Sequence, residues 1–297
     1  MKRAWAWWVA LWDRREPATA LALVRIAIAV VMLVDYLWVA HLGLVHLVWS
    51  PLPDGFGAVA DIPGPTAYAL VVGSLAAIGI GLATPVACVV FALASAQLAT
   101  IAPVSENASD VLLRIVALIL ALSRCNAKWS VDAWVMKKLG RPMSEEIPAW
   151  PRYLILFQLV WVYFSGAQNK SSGEWGPLGG FTALANALLD PSAGRLPAGL
   201  VLAIYPLTRV ATALTMAFEW SAPVYLVAYL RGWTKIRWIW IALFFSFEIG
   251  IAVGLRIGAF AYTMLALFPV LLTPEEIQRC FQRLKTRAPA NRASSPS

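Results

Sequence analysis

Residues 18–40, ATALALVRIAIAVVMLVDYLWVA, form a long apolar run that contains only two charged side chains, Arg25 and Asp35. About 20 consecutive apolar residues are enough for an α-helix to cross the ~30 Å hydrocarbon core of a bilayer. A charged side chain near the bilayer centre costs about 2.5–3.5 kcal/mol on insertion scales. Each such side chain is therefore expected to have an ion-pair partner or a functional role. The run therefore predicts a transmembrane helix.

The composition of the whole chain agrees with this prediction. Only 13% of the 297 residues are charged, against roughly 25% in soluble domains. Hydrophobic types make up 60%, the mean hydropathy is +0.69, and 15 residues are Trp, which favours membrane interfaces. A soluble protein of this composition would lack the polar surface needed to face water, so a soluble enzyme is excluded.

The sequence gives little support for a function in metal binding or nucleic-acid binding. Three cysteines (Cys88, Cys125, Cys280) and two histidines (His41, His46) lie far apart, so neither a disulfide framework nor a metal cluster is expected. The net charge of +8 is interpreted as a sign of cytoplasmic loops, and no nucleic-acid partner is expected.

Similar apolar windows recur along the chain and predict an all-α, polytopic bundle of about eight transmembrane helices, with seven to nine possible. The sixth window contains Pro206 and Pro223, so it is either two segments or one kinked helix. The predicted spans are 18–40, 64–83, 85–103, 110–123, 152–169, 199–230, 236–254 and 258–273.

The sequence divides into three parts: a Trp-rich interfacial amphipathic helix over 1–16, a transmembrane domain over 17–273, and a basic, largely disordered tail over 274–297. Lys and Arg concentrate in the first 16 residues, in 124–152, in 231–237 and in the tail. By the positive-inside rule these segments are cytoplasmic, which predicts a multi-pass protein of the cell membrane with both termini in the cytoplasm.

Four of the charges inside the predicted spans have a structural interpretation. Asp110 and Arg114 stand four residues apart on one helix face and are predicted to form a direct ion pair. Arg25 and Asp35 are about 15 Å apart along their helix, so each must find its partner on another span. Ion pairs that fix helix packing would explain all four.

Two glutamates have no cation one helical turn away. Glu219 and Glu248 can sit protonated in the membrane or line a polar cavity, and the sequence does not choose between these alternatives.

The stretch 158–180, QLVWVYFSGAQNKSSGEWGPLGG, carries the clearest chemical signal. An aromatic helix face leads into small residues, then into Lys170, then into a Gly-rich turn anchored by Trp175. Lys170 can extend to the lipid headgroups, or it can be a desolvated amine that takes a proton from a ligand.

Several segments together resemble the membrane domain of the vitamin K-dependent gamma-carboxylase-like family, known in bacteria as the horizontally transferred transmembrane (HTTM) domain. The similarity covers about 18–273. The residues that carry it are Tyr163, Phe164, Lys170, Trp175, Gly179 and Gly180, the opening span with Arg25 and Asp35, the turn 126–132, the run 257–262, and Thr215, Glu219 and Pro223.

The resemblance implies that Lys170 is a general base that deprotonates a reduced, vitamin K-like quinone. The carboxylase has histidines where this chain has Ser109 and Glu248, and it has a large lumenal region that is absent here. Carboxylase-like chemistry is therefore one hypothesis, and whether the protein is an enzyme stays open.

The preferred hypothesis is a polar intramembrane pocket between spans one, four, five, six and seven, holding a quinone-like or lipid-like ligand. One alternative is a non-catalytic membrane subunit or peptide maturation factor. Another is a small-molecule transporter. Membrane lipids, a quinone-like ligand or a peptide substrate are the expected partners. The predicted pocket residues are Lys170, Glu219, Glu248, Trp175, Arg25 and Asp35, with Asp110 and Arg114 as a structural pair.

Overall fold

The computed structural model describes residues 2–50 and 62–287, and this part of the chain is almost entirely helical. The helices are α1 (Lys2–Trp12), α2 (Thr19–His41), α3 (Val45–Val48), α4 (Gly64–Ile80), α5 (Thr84–Ile101), α6 (Ala108–Leu122), α7 (Val131–Lys138), α8 (Trp150–Asn169), α9 (Ala183–Leu189), α10 (Ala198–Ala203), α11 (Tyr205–Trp220), α12 (Ala222–Arg231), α13 (Thr234–Gly254), α14 (Phe260–Ala266) and α15 (Pro274–Arg287).

Two short strands join parts of the chain that are distant in sequence. β1 (Arg15–Pro17) pairs antiparallel with β2 (Glu146–Pro148). The ladder brings Glu16 opposite Ile147, and both side chains are buried. It therefore fixes the start of α2 next to the start of α8.

The helices form a closed bundle around one apolar core. α2 packs against α4, α4 against α5, and α5 against α6. α8 contacts α6 on one side and α11 and α12 on the other, while α14 bridges α13 and α2. Leu21, Val24, Ile28 and Met32 bury one stripe of α2 at helical spacing, which explains how the first apolar run packs.

Among the described residues, three helices are long and apolar enough to cross a membrane: α2, α5 and α13. The helices α11 and α12 together make a fourth candidate, bent by 48° between them, and α4 is a shorter apolar helix. The predicted count of about eight spans is not confirmed.

Two of the predicted spans are not continuous helices, and the interruption of the sixth is the one expected from Pro206 and Pro223. The sixth window folds as α10, α11 and α12, which break at Ile204 and Ser221, each two residues before a proline. The eighth folds as α14, whose 7 residues measure about 10 Å at 1.5 Å per residue. A 3₁₀ turn over Phe268–Leu271 follows it. The proline at 269 has no backbone N–H, so an α-helix does not continue through this point.

The tail is more ordered than expected, because Pro274–Arg287 form α15. Thr273 and Glu276 make a reciprocal cap at its start: the Thr273 N–H donates to Glu276 at 2.8 Å, and the Glu276 N–H donates to the Thr273 hydroxyl at 3.3 Å. Ile277 is buried against the bundle. The rest of the predicted disordered tail, 288–297, lies outside the described residues.

The amino-terminal segment is helical, as expected. Trp5 and Trp8 of α1 are exposed, and the rings of Trp8 and Trp12 lie 5.1 Å apart. Its position at a membrane interface stays a prediction.

Ion pairs link the segments predicted to be cytoplasmic two by two. Glu16 binds Arg152, and Arg237 binds Glu276. These ion pairs connect the amino-terminal segment, the two basic connections and α15, which is consistent with the predicted grouping. The side of the membrane stays a prediction.

Candidate functional site

Lys170 is in an ion pair with a buried carboxylate. It is the first residue beyond the end of α8, and its ammonium group contacts Oε1 of Glu219, the penultimate residue of α11. The Glu219 side chain is only 4% exposed, against 23% for Lys170. The ammonium group also lies 5.0 Å from the ring centre of Trp175, within cation–π range. The structure thus brings together three of the predicted pocket residues.

A second buried carboxylate lies nearby. Glu248 of α13 is fully buried, and the hydroxyl group of Tyr163 on α8 donates a hydrogen bond to its Oε1. The Tyr163 ring meets the rings of Phe218, Phe244 and Phe247 at near-perpendicular or steeply tilted angles, with centroids 5.1 to 5.9 Å away. These aromatic side chains surround the hydrogen bond with apolar surface.

Each of the two carboxylates keeps one unsatisfied oxygen. Oε2 of Glu219 and Oε2 of Glu248 are buried and have no hydrogen-bond partner among the described residues. Glu219 and Glu248 are also close enough to repel each other when both are ionised. Unpaired buried carboxylate oxygens are costly, and they indicate either a protonated group or a missing ligand.

The Lys170–Glu219 pair and Tyr163 line a cavity of about 300 Å³, whereas Glu248, although bonded to Tyr163, is not part of the cavity wall. Gly166 forms part of its wall, since a Cβ at this position would lie 3.6 Å from Glu219 Oε1 and 3.7 Å from Lys170 Nζ. The cavity is lined by Ala108, Val162, Tyr163, Ser165, Gly166, Asn169, Lys170, Glu219, Phe247, Ile251 and Phe260. Its walls therefore combine one cation, one carboxylate and one phenol with apolar surface.

This arrangement can exchange protons with a bound molecule. In a lysine–carboxylate pair the shared proton can reside on the amine or on the carboxyl group, and both forms have the same net charge. A hydroxyl group that enters the cavity would meet a proton acceptor in a poorly hydrated site. Within 2–50 and 62–287, no three His, Cys, Asp or Glu side chains are grouped so as to hold a metal ion.

Arg25 lies away from this cavity, contrary to the expectation that it lines the pocket. It is fully buried, and its guanidinium group donates to the backbone carbonyls of Gly79 at 2.9 Å and of Trp129 at 2.7 Å. Its partners are therefore carbonyl oxygens rather than a carboxylate on another span. Arg25 ties α2 to the end of α4 and to the turn before α7.

Asp35 lies in a second cavity, of about 240 Å³, together with Asp110 and Arg114. Arg114 forms its ion pair with Glu106 rather than with Asp110. Asp110 instead accepts the Asn107 N–H at 2.9 Å and completes a capping box at the start of α6. The expected direct pair is replaced because the third residue of a helix is well placed to satisfy the free N–H at its start.

Tyr163 is the functional candidate that the sequence reasoning did not place in the site. It appeared only as part of the family motif, although 163, 166 and 170 follow each other at intervals of three and four residues. Positions with this spacing share one face of an α-helix. A helical projection of 158–170 would have put Tyr163, Gly166 and Lys170 on the same wall.

The described part of the chain is a helical bundle that combines apolar helices long enough to cross a membrane with buried ion pairs and a polar cavity, the features typical of an integral membrane protein. The chain belongs to the HTTM domain family, whose family model matches residues 13–275. No curated protein and no solved structure matches it. The family and the apolar helices support a membrane location.

Proposed function

We propose that the cavity between α8, α11 and α13 binds a lipid-like or quinone-like molecule with an ionisable hydroxyl group, and that Lys170 takes up the proton of this group. The supporting observation is the buried ion pair of Lys170 and Glu219 at the cavity wall. The role of Lys170 as a base is also what the family resemblance implies.

The step proceeds within the pair. The pair reaches its neutral form when Lys170 passes a proton to Glu219, which leaves the amine lone pair free to accept the ligand proton. The ligand O–H bond breaks, an N–H bond forms, and the resulting ammonium group stabilises the ligand anion next to it.

The first experiment identifies the ligand. The protein is extracted in a mild detergent, and its bound small molecules are analysed by mass spectrometry. We expect a quinone or a lipid that is retained by the wild type and lost in Lys170→Met. A bound peptide, or a small molecule retained equally by Lys170→Met, would contradict the proposal.

The second experiment tests the base. Reduced menaquinone is added anaerobically, and its absorbance reports whether the bound hydroxyl group is ionised. We expect ionisation by the wild type and none by Lys170→Arg, because a guanidinium group keeps its proton near neutral pH. Lys128→Arg, which changes a surface ion pair with Glu145, is the matched control. Equal ionisation by Lys170→Arg and the wild type would exclude Lys170 as the base.

A transporter is the second candidate, supported by the 48° bend between α11 and α12 beside the buried Glu219. Broken helices at buried charged residues are typical of transport sites. It predicts that substrate flux in proteoliposomes depends on Glu219, and proteoliposomes without flux would remove this candidate.

A further inference from the structure

Glu248 is a buried acid that the proposed proton transfer does not use. It is fully buried in the middle of α13. In the described chain, the titratable groups that reach it are Tyr163 from α8 and Glu219 from α11, with Lys170 on the far side of Glu219. Among the described residues, its neighbours therefore offer one hydrogen bond and one repelling carboxylate, and Lys170 is already paired with Glu219.

These contacts suit a neutral acid much better than an anion. An ionised Glu248 would be a buried charge with one unpartnered oxygen, close to a second carboxylate. Burying an unpaired charge costs several kcal/mol, whereas a protonated carboxyl group avoids both the desolvation and the repulsion.

The protonation state of Glu248 decides what Tyr163 can offer to the cavity. A phenol hydroxyl group can donate one hydrogen bond and can also accept. Beside an ionised Glu248, Tyr163 must donate to the carboxylate, so the cavity meets only its lone pairs. A neutral Glu248 can instead donate its carboxyl O–H to Tyr163, which leaves the phenol O–H available to a molecule in the cavity, because Tyr163 is part of the cavity wall.

We propose that Glu248 is a neutral acid that acts as a positioning residue: it donates to Tyr163 and so directs the phenol O–H toward an oxygen acceptor on the bound molecule. The proposed ligand therefore carries a carbonyl or ether oxygen, which accepts from Tyr163, in addition to the hydroxyl group that faces Lys170. The ligand part rests on the proposed function, whereas the state of Glu248 does not.

Infrared spectroscopy of the ligand-free protein tests the state of Glu248 directly. At neutral pH we expect the C=O stretch of a protonated carboxyl group, which is absent in Glu248→Gln, shifted in Tyr163→Phe and retained in Glu219→Gln. Thermal unfolding of each variant checks that it is folded. A wild type without this band, or carboxyl C=O absorption of equal intensity in Glu248→Gln and the wild type, overturns the inference. The shift in Tyr163→Phe provides a second test that leaves the carboxyl group in place.

A binding titration tests the orientation of Tyr163. Oxidised menaquinone, which carries two carbonyl oxygens, is titrated from mildly acidic to mildly alkaline pH while Trp fluorescence is recorded. We expect wild-type affinity to fall at alkaline pH, as Glu248 ionises, whereas Glu248→Gln keeps the affinity seen at acidic pH because its amide always donates to Tyr163. At acidic pH, Tyr163→Phe should bind about tenfold more weakly than the wild type, the loss of one hydrogen bond, and its affinity should not fall further at alkaline pH.

The two experiments fail in different ways. Equal menaquinone affinity of Tyr163→Phe and the wild type at acidic pH would overturn the role of Tyr163 as donor. No binding by any variant, with the infrared result as expected, would contradict the proposed quinone ligand and confirm the neutral state of Glu248.

Discussion

Gly166 controls how much room the cavity offers beside the ion pair. A single Cβ would only touch Glu219 and Lys170 at 3.6 and 3.7 Å, which is ordinary contact, but a longer side chain would occupy the space itself. The cavity is thus open because this position of α8 has no side chain.

We therefore expect Gly166→Leu to abolish ligand retention while the protein stays folded, and Gly166→Ala to retain the ligand. Mass spectrometry of bound small molecules and thermal unfolding are the measurements. Gly73→Leu is the matched control, because Gly73 is also in a helix and has open space around it. Full ligand retention by Gly166→Leu would show that the ligand binds elsewhere.

Asp132 performs a structural task that is sensitive to pH. It accepts the N–H groups of Ala83 at 2.7 Å and Thr84 at 3.0 Å, and so caps α5 from the first turn of α7. Burial alone would raise the pKa of Asp132, but hydrogen bonds from Asn126, Thr84 and Ala83 outweigh burial and hold this pKa below its ordinary value.

The lowered pKa of Asp132 determines how its contribution to stability changes with pH. Because the folded protein favours the ionised form, Asp132 stabilises the fold above its unfolded pKa of about 4, and this contribution is lost as the pH falls through the folded pKa. Asp132→Ala should lower the free energy of unfolding by about 1 kcal/mol at neutral pH, as for other lost helix caps. Thermal unfolding should show a smaller loss of stability on acidification in Asp132→Ala than in the wild type; an equal loss would contradict the capping role.

At the scale of elements, α15 is held to the bundle by one carboxylate. Glu276 binds Arg237 of α13 at 2.9 Å and also accepts the Thr273 N–H that caps α15. Burial acts to raise the pKa of Glu276, but the hydrogen bonds from Arg237 and from the Thr273 N–H, together with the nearby Arg237 and Arg279 charges, outweigh burial and keep this pKa low. Helix capping and docking thus depend on the same side chain.

We expect Glu276→Ala to release α15 from the bundle without unfolding the rest. Hydrogen exchange measured by mass spectrometry should rise several-fold over 274–287 and stay unchanged in α8 and α13. Gln278→Ala, an exposed position on the same helix, is the control. Unchanged exchange in Glu276→Ala would mean that the apolar contacts of α15 hold it alone.

The sequence predicted helices correctly where a long apolar run determines the structure. The windows at 18–40, 85–103 and 236–254 correspond to the helices α2, α5 and α13, because long apolar runs have few alternative structures. It also predicted that the run 199–230 is interrupted or kinked at Pro206 and Pro223, but not that 258–273 contains only the short helix α14. It also missed α15, whose cap signal at Thr273–Glu276 is local and whose sequence is too polar for a hydropathy window.

The candidate site was predictable in part for a similar reason. Lys170, Glu219 and Glu248 stand out because charge is scarce in apolar helices, and the structure places them around one region. The partners of Arg25 are backbone carbonyls, which carry no sequence signal. Likewise, the choice of Arg114 between Asp110 and Glu106 depends on which carboxylate is needed to cap α6.

At the scale of the whole molecule, the exposed thiol of Cys280 offers a test of orientation. Cys88 and Cys125 are buried, whereas Cys280 on α15 is exposed. A membrane-impermeant maleimide should therefore label the wild type in inside-out vesicles and leave it unlabelled in intact cells, if the basic end of the bundle faces the cytoplasm. Cys280→Ser should abolish the labelling. Labelling of intact cells would reverse the predicted topology.

The region around the ladder between β1 and β2 can form its contacts only late in the synthesis of the chain. Glu16 leaves the ribosome early, but Arg152, which binds both of its carboxylate oxygens at 2.6 and 2.7 Å, is made much later. Until then, Glu16 must remain in water beside a newly inserted α2. We therefore expect the amino-terminal half to enter the bilayer before Glu16 has its partner. The contact between Glu16 and Arg152 forms only after Arg152 has been synthesised. Nascent chains that stop before residue 152 should therefore be sensitive to proteases at their amino-terminal end.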